Sequence, residues 1–180
     1  MNFNRLEQNI IDVMTEQQLK LGYRSEVVRL YYPLLSLNRF LGTEYDAVQM
    51  KAALDEFCEY ASERLGRITI TNKKDRFCFV LPPQAGDYVH EHADENGFLY
   101  EMIKQVEKYG VTINDVLDIF KKYSDEVHFE QVDNGEFDYL VYFEDGRPDD
   151  FRYCITDEGA HVIYHRYTKE DYEDFGFKTA

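Results

Sequence analysis

Residues 67–81, RITITNKKDRFCFVL, place two short apolar segments on either side of the polar turn Asn72-Lys73-Lys74-Asp75. Alternating or continuous apolar segments around such a turn predict a β-hairpin. The preceding segment, which begins at Thr43 or Asp46, carries apolar residues at helical spacing and ends at Gly66, so it predicts a long helix. A helix followed by a hairpin therefore organises this part of the chain.

The residues before the long helix are also predicted to be helical. Apolar residues recur at helical spacing over residues 4–21, and Gly22 is a natural stop. Ser25 can cap a second helix that carries Val27, Val28, Leu30 and Tyr31, and the segment LLSLNRFLG continues it after Pro33. The first half is thus expected to be helical apart from the hairpin.

The second half repeats the order of helices first and strands last. Helices are predicted from Phe98 to Tyr109 and after a cap at Thr112 or Asn114. The strands VHFEQV, EFDYLVYF, DFRYCIT and AHVIYHRY follow, with one face packed and one in solvent, and Thr168 starts a short acidic helix. Because their connections are short, they predict an antiparallel four-stranded meander and an α+β fold class.

The chain has one long segment rich in proline, glycine and polar residues, which predicts a connector over 84–97. It separates a helical half over 1–83 from an acidic α+β half over 98–180. LDEFCEYASE, beginning at Leu54, aligns with LDIFKKYSDE, beginning at Leu117. Both duplication and chance patterning of two amphipathic helices explain this similarity.

Residues 24–81 resemble a winged helix-turn-helix. The resemblance lies in the element order, in Leu37, Phe40, Leu41, Leu54 and Leu65, and in the apolar positions of the hairpin. It implies that the long helix enters the DNA major groove and that the hairpin touches phosphate. The residues that would bind nucleic acid are the only basic cluster of the sequence: Arg64, Arg67, Lys73, Lys74 and Arg76.

The long helix opposes such a function, because its exposed positions include Asp55, Glu56 and Glu59. A structural module with a solvated lysine-rich turn explains the pattern as well.

The net charge is −15, and it is unevenly distributed. Residues 1–90 contain 12 acidic and 11 basic side chains, whereas residues 91–180 contain 23 and 9. A strongly acidic half repels nucleic acid and anionic membranes and attracts basic partners. We therefore expect a protein partner with a basic surface, contacted through Tyr142, Tyr153 or Tyr164 where these are exposed, and we expect neither nucleic acid nor a membrane as partner.

Cys58, Cys78 and Cys154 are odd in number and widely spaced, which favours a reducing cytoplasmic location. The N-terminus lacks the apolar stretch of a signal peptide, and the longest apolar segment, Val27–Leu37, is too short to span a bilayer.

No catalytic residue, cofactor or metal site is predicted. The pairs His90 with His92 and His161 with His165 permit metal binding, but solvated histidines explain them better. Ordinary turn chemistry accounts for the acidic loop that contains Glu144, Asp145, Asp149 and Asp150, and the carboxylates Asp133, Glu136 and Asp138 single out no catalytic pair. A nucleophile at Cys154, with His161 or His165 across the hairpin, is the remaining enzymatic hypothesis.

The segment RLYYPLLSLNRFLG and the aromatic, acidic meander resemble a bacterial family of proteins of about this length whose function is unknown. The resemblance implies a cytoplasmic α+β protein and supplies no active site. We expect a non-catalytic protein-binding module, such as an immunity-type inhibitor or an accessory regulator. The alternatives are a DNA-binding regulator that uses the basic hairpin and a small hydrolase-like enzyme.

Overall fold

A computed structural model describes residues 1–92 and 97–177, which form seven helices and two antiparallel sheets. The chain divides into two compact units, Met1–Glu95 and Asn96–Ala180. Each unit combines helices with one sheet, so the predicted α+β class is confirmed. None of the helices in the described ranges is both long and apolar enough to cross a membrane.

The first unit contains a three-stranded sheet in the order β1-β3-β2 and four helices. Its elements in chain order are α1 (Phe3–Leu21), β1 (Val28–Pro33), α2 (Leu34–Leu41), α3 (Ala47–Leu65), β2 (Thr69–Lys73), β3 (Arg76–Leu81) and α4 (Pro83–Glu91). The predicted hairpin is present as β2 and β3, and Lys73 pairs with Arg76 across the turn. Asp46 caps α3 by accepting hydrogen bonds from the backbone of Val48 and Gln49.

The prediction of a helix over residues 27–33 is wrong, because these residues form β1. Val28, Leu30 and Tyr32 alternate with exposed residues and turn toward the core. β-branched and aromatic residues favour a strand where a neighbouring strand is available, and β3 supplies one. The expected irregular connector is also helical over Pro83–Glu91, where Pro83 suits the first helical turn. Residues 93–96 of that connector lie outside the described residues.

The core of the first unit lies between the sheet and the helices α1, α2 and α3. Phe57 of α3 meets Phe79 of β3 with ring centroids 6.3 Å apart, and Tyr32 of β1 meets Phe79 at 5.1 Å. The buried Tyr32 hydroxyl donates to Asn9 Oδ1 of α1 at 2.8 Å, which satisfies its polar atom. The sheet is therefore anchored by its inner face, and its outer face is left to solvent.

Gly66 fixes the turn from α3 into the hairpin. Its φ of 70° lies in the left-handed region that favours glycine. A Cβ at this position would lie 2.8 Å from Pro82 Cγ and 2.8 Å from Gln84 Oε1. Backbone conformation and close packing therefore both require glycine where the long helix ends.

An ion pair joins α1 to α3. Arg64 Nε lies 2.6 Å from Glu7 Oε1, and a second donor of the guanidinium lies 3.0 Å from Glu7 Oε2. The Glu7 side chain is only 6% exposed, whereas that of Arg64 is 35% exposed. The guanidinium also lies 5.0 Å from the ring of Tyr60. This two-point contact gives Glu7 the partner that a buried carboxylate requires.

The second unit contains a four-stranded antiparallel meander in the order β4-β5-β6-β7, as predicted. Its elements in chain order are α5 (Gly97–Val106), α6 (Ile113–Tyr123), β4 (Val127–Gln131), β5 (Tyr139–Phe143), β6 (Arg152–Asp157), β7 (Val162–Tyr167) and α7 (Lys169–Phe175). Thr112 caps α6 through a capping box with Asp115, and Thr168 caps α7.

Four aromatic rings form the centre of the second core. Phe98 of α5 and Phe120 of α6 lie 4.9 Å apart, and both contact Phe143 of β5 and Tyr153 of β6. The other face of the sheet is not simply in solvent, contrary to the prediction. Tyr172 of α7 and the following Phe177 pack there against a cluster that includes Leu140 and Cys154.

We expect a double-mutant cycle with Glu7→Ala and Arg64→Ala to give a coupling energy of about 1–3 kcal/mol, because the carboxylate is buried and bound at two points. The matched control is the exposed pair Lys51 and Asp55 on α3, for which about 0.3–0.5 kcal/mol is expected. Urea denaturation followed by circular dichroism measures both cycles. Equal coupling energies would contradict the structural role of the Glu7–Arg64 pair.

Candidate functional site

The predicted basic cluster is not a single surface, because Arg64 is engaged by Glu7. Its guanidinium stabilises the buried carboxylate of Glu7. The structure thus gives Arg64 a structural role that the sequence did not indicate. Arg67, Lys73 and Lys74 are exposed, and Arg76 is exposed with its guanidinium 5.0 Å from the ring of Tyr31.

Strand pairing adds two residues that the sequence analysis missed. Arg29 is opposite Val80 on the outer face of the first sheet, and Tyr31 is opposite Cys78. In the next row outward along β3, Arg76 pairs with Lys73 of β2. The alternation of Arg29 and Tyr31 with residues that turn toward the core is the sequence signal that places both beside the hairpin.

We call this surface the basic sheet face. It comprises Arg29, Tyr31, Lys73 and Arg76, with Lys74 at the turn. Tyr31 is 55% exposed. Every charged side chain that β1, β2 and β3 contribute is a cation.

Two of the three tyrosines predicted to contact a protein are buried. Tyr153 is fully buried, and Tyr164 is 6% exposed, so neither can serve as a surface contact. The strand register explains this result, since it directs both rings toward the helices α5 and α6. The Tyr153 hydroxyl donates to Asp149 Oδ2 at 2.7 Å, and burial raises its pKa well above the usual value.

Tyr142 is half-buried and lies in a row of stacked side chains on the opposite face of the second sheet. His128 of β4 stacks on its ring with centroids 4.4 Å apart and an interplanar angle of 16°. The Arg152 guanidinium of β6 lies 3.8 Å from the centroid of the same ring. Tyr167 of β7 is paired with Arg152, so the row crosses all four strands.

Carboxylates surround the end of this row at the edge strand β4. His128 Nε2 lies 3.4 Å from Glu130 Oε2, and Nδ1 lies 3.6 Å from Glu144 Oε1. The exposed Glu126 is next to Glu144, whose backbone N–H donates to the Glu126 carbonyl oxygen at 2.8 Å. This arrangement concentrates negative charge on one edge of the sheet.

Phe129 lies on the same strand and is 45% exposed. Its ring stacks on Tyr139 with centroids 5.5 Å apart. We call Glu126, His128, Phe129, Glu130 and Glu144 the β4 edge surface. Because side chains alternate along a strand, Phe129 lies on the face of the sheet opposite His128 and Glu130. The edge strand thus presents a restrained aromatic ring on one face and carboxylates on the other, which is a composition suited to binding a basic protein along the edge.

The structure does not favour Cys154 as a nucleophile. His165 is directly opposite Cys154 in the β6–β7 ladder, as the enzymatic hypothesis required, but Cys154 is 3% exposed. Burial raises the pKa of its thiol to about 12, so the thiol stays protonated near neutral pH. The ring of His161 lies against Tyr109 instead, with centroids 5.5 Å apart.

The described residues contain no group of three or more histidine, cysteine or acidic side chains placed to hold a metal. His90 stacks on Tyr23, and His92 stacks on Tyr88. Asp145 and Asp149 accept hydrogen bonds from the backbone of their own loops, which accords with ordinary turn chemistry.

Of the three carboxylates Asp133, Glu136 and Asp138, the side chain of Asp138 has a similar local role. Asp138 Oδ2 accepts a hydrogen bond from Asp157 N at 2.8 Å. Asp133 and Glu136 are exposed on either side of a turn that Asn134 Oδ1 closes.

Comparison with known protein families agrees with the resemblance drawn from the aromatic, acidic meander. The chain belongs to the DUF3877 family. The description of that family is a domain of unknown function, E. rectale gene description, and its model matches residues 3–176. The match spans both units and confirms the resemblance to a bacterial family of this length. No curated protein and no solved structure shows significant similarity to the chain.

Alkylation of Cys154 by iodoacetamide should be at least a hundredfold slower in the folded protein than in urea. A pKa of about 12 leaves roughly a thousandfold less thiolate than the unperturbed value of 9.0, and burial limits access further. Since the pKa is raised, the rate should increase as the pH rises toward 12. Mass spectrometry of each alkylated cysteine measures the rates. Rapid and selective modification of Cys154 at neutral pH would restore the nucleophile hypothesis.

Proposed function

We propose that the protein is a non-catalytic binding module whose second unit recognises a protein with a basic surface. An immunity-type inhibitor and an accessory regulator both act in this way. The observation that carries the proposal is the β4 edge surface, where one edge strand carries the exposed Phe129 on one face of the sheet and Glu130 and Glu144 beside His128 on the other. This surface replaces the contacts expected at Tyr153 and Tyr164.

The geometry suits an interface anchored by an aromatic side chain. Stacking on Tyr139 restricts the Phe129 ring before any partner arrives, which lowers the entropy lost on binding. Glu130 and Glu144 lie beside His128 on the other face of the sheet at the same edge, and they would face Lys or Arg side chains of a partner bound along that edge. Charges at such a rim mainly accelerate association and select against acidic proteins.

The position of β4 adds a further argument. It is an edge strand, paired on one side only with β5. Unpaired backbone groups on an edge strand can bind another chain, and charged side chains near the edge restrict which chains approach. The carboxylates of Glu126 and Glu130 would admit a basic segment and repel a second acidic copy.

The alternative of a winged-helix DNA-binding regulator has less support. The order α1, β1, α2, α3, β2, β3 with its hairpin keeps the resemblance to that fold. However, Asp55, Glu56 and Glu59 are exposed along α3, where a recognition helix would face phosphates. The hydrolase alternative has less support still, because Cys154 is buried with a raised pKa.

We also propose a cytoplasmic location. The three cysteines are all free, and Cys58 and Cys78 are only half-buried. Partly exposed thiols of this kind persist most readily in a reducing compartment.

Site-specific photo-crosslinking tests the proposed function. A photoreactive phenylalanine analogue at position 129 should crosslink a protein with a basic surface in a lysate of the native host. The same analogue at position 109, where Tyr109 is 81% exposed, should not crosslink that protein. The double variant Glu130→Lys/Glu144→Lys should weaken binding of the purified partner about tenfold or more, since it reverses the charge at the sheet edge that also carries Phe129.

Asp118→Lys/Glu158→Lys is the matched control, because both side chains are exposed in the second unit and the net charge changes equally. It should leave the affinity nearly unchanged. Equal weakening by both double variants would show a general charge effect. Crosslinking of the same proteins at positions 109 and 129 would refute the proposed surface.

A further inference from the structure

The outer face of the first sheet has a composition that the proposed function does not use. Its strands contribute Arg29, Lys73 and Arg76 and no carboxylate. In a chain with a net charge of −15, such a sheet face is a local exception. The turn between the strands adds the exposed Lys74, with a φ of 53°, and the exposed Asp75, so the cations of the face are those of the strands together with Lys74.

An exposed aromatic ring lies within this basic face. Tyr31 is two residues from Arg29 on β1, so their side chains leave the same face about 7 Å apart. The Arg76 guanidinium lies 5.0 Å from the centroid of the Tyr31 ring. Thr69 and Thr71 of β2 are exposed in the same rows and add hydroxyl groups.

We propose that the basic sheet face binds single-stranded nucleic acid through its cations and the ring of Tyr31. Proteins that bind single strands without sequence preference combine a positive surface along the backbone with aromatic rings on which bases stack. Here Arg29, Lys73, Lys74 and Arg76 would contact phosphates. Tyr31 would stack with an unpaired base.

The geometry favours a single strand over a duplex. Bases within a duplex are stacked on each other and give the Tyr31 ring no free surface, whereas bases of a single strand can be splayed out. Groove recognition in the winged-helix manner would use α3, which is lined with exposed acids such as Glu56 and Glu59. The basic sheet face needs no groove, and its exposed Tyr31 ring suits a base that is not paired in a duplex.

The acidic second half does not prevent this binding. Residues 1–90 carry 12 acidic and 11 basic side chains, so most of the negative charge of the chain lies outside them. Exposed charges are screened over about 8 Å at physiological ionic strength. The proposal concerns a different surface from the β4 edge surface, and either function can hold without the other.

Fluorescence anisotropy of the full chain with a labelled oligothymidylate of about 20 nucleotides tests this inference. At about 50 mM salt we expect micromolar affinity, with a slope of log affinity against log salt of about −0.7 per phosphate contact. Lys73→Glu/Lys74→Glu should reduce the steepness by about 1.4. Tyr31→Ala should weaken binding about fivefold or more, and Tyr31→Phe should retain it, because stacking needs only the ring.

Lys108→Glu/Lys121→Glu is the control, since it makes the same change in net charge on exposed residues of the second unit. It should leave the salt slope unchanged. Thermal melts of all variants identify any loss of fold, and the Tyr31→Phe protein keeps the test informative if the alanine variant unfolds.

Three outcomes would overturn the inference. The first is an affinity weaker than about 10⁻⁴ M at low salt. The second is an equal effect of the control variant. The third is displacement of the oligonucleotide by polyglutamate at equal charge concentration together with no effect of Tyr31→Ala, which would assign the face to an acidic protein instead.

Discussion

The register of the two antiparallel sheets is the constraint on which both surfaces depend. Side chains alternate across a sheet, so a shift of one residue exchanges the packed face for the solvent face. In β1 this alternation sends Tyr32 into the core beside Phe79 and leaves Tyr31 on the outside. In the second unit it buries Tyr153 against Phe120 and keeps Tyr142 out of that core. The cores fix the register, and the register fixes which charges reach solvent.

Packing also separates charges of opposite sign within the chain. The first sheet is held by its inner aromatic residues and presents cations on its outer face. The second sheet gathers carboxylates at its edge strand, where Glu130 and Glu144 lie on two sides of His128. Arg64 belongs to neither surface because the buried Glu7 requires a partner. A basic residue that pairs with a buried carboxylate, as Arg64 does, is therefore less available to a binding surface.

Much of the architecture could be predicted from local patterns. The turn at residues 72–75, the cap at Thr112 and the spacing of the four meander strands determine elements that need little from distant residues. The strand β1 could not be recognised in this way, because its partner β3 lies about 50 residues further along the chain. A helix over this segment does not place Arg29 and Tyr31 beside the hairpin, whereas the strand does. The burial of Tyr164 was missed for a related reason, since it depends on which face of the sheet the helices cover.

Hydroxyl-radical footprinting of neighbouring aromatic residues tests this account most directly. Tyr31 and Tyr32 have the same chemistry and adjacent positions, but they are 55% and 8% exposed. The register predicts that Tyr31 is oxidised about sevenfold faster, which is the ratio of these exposed fractions. In the second unit Phe129, at 45% exposure, should react while Phe143, at 1%, is protected. Equal or reversed rates for Tyr31 and Tyr32 would contradict the register of the first sheet and, with it, the basic sheet face. Phe129 and Phe143 share one face of the second sheet, so equal rates for them would contradict the exposed ring of the β4 edge surface.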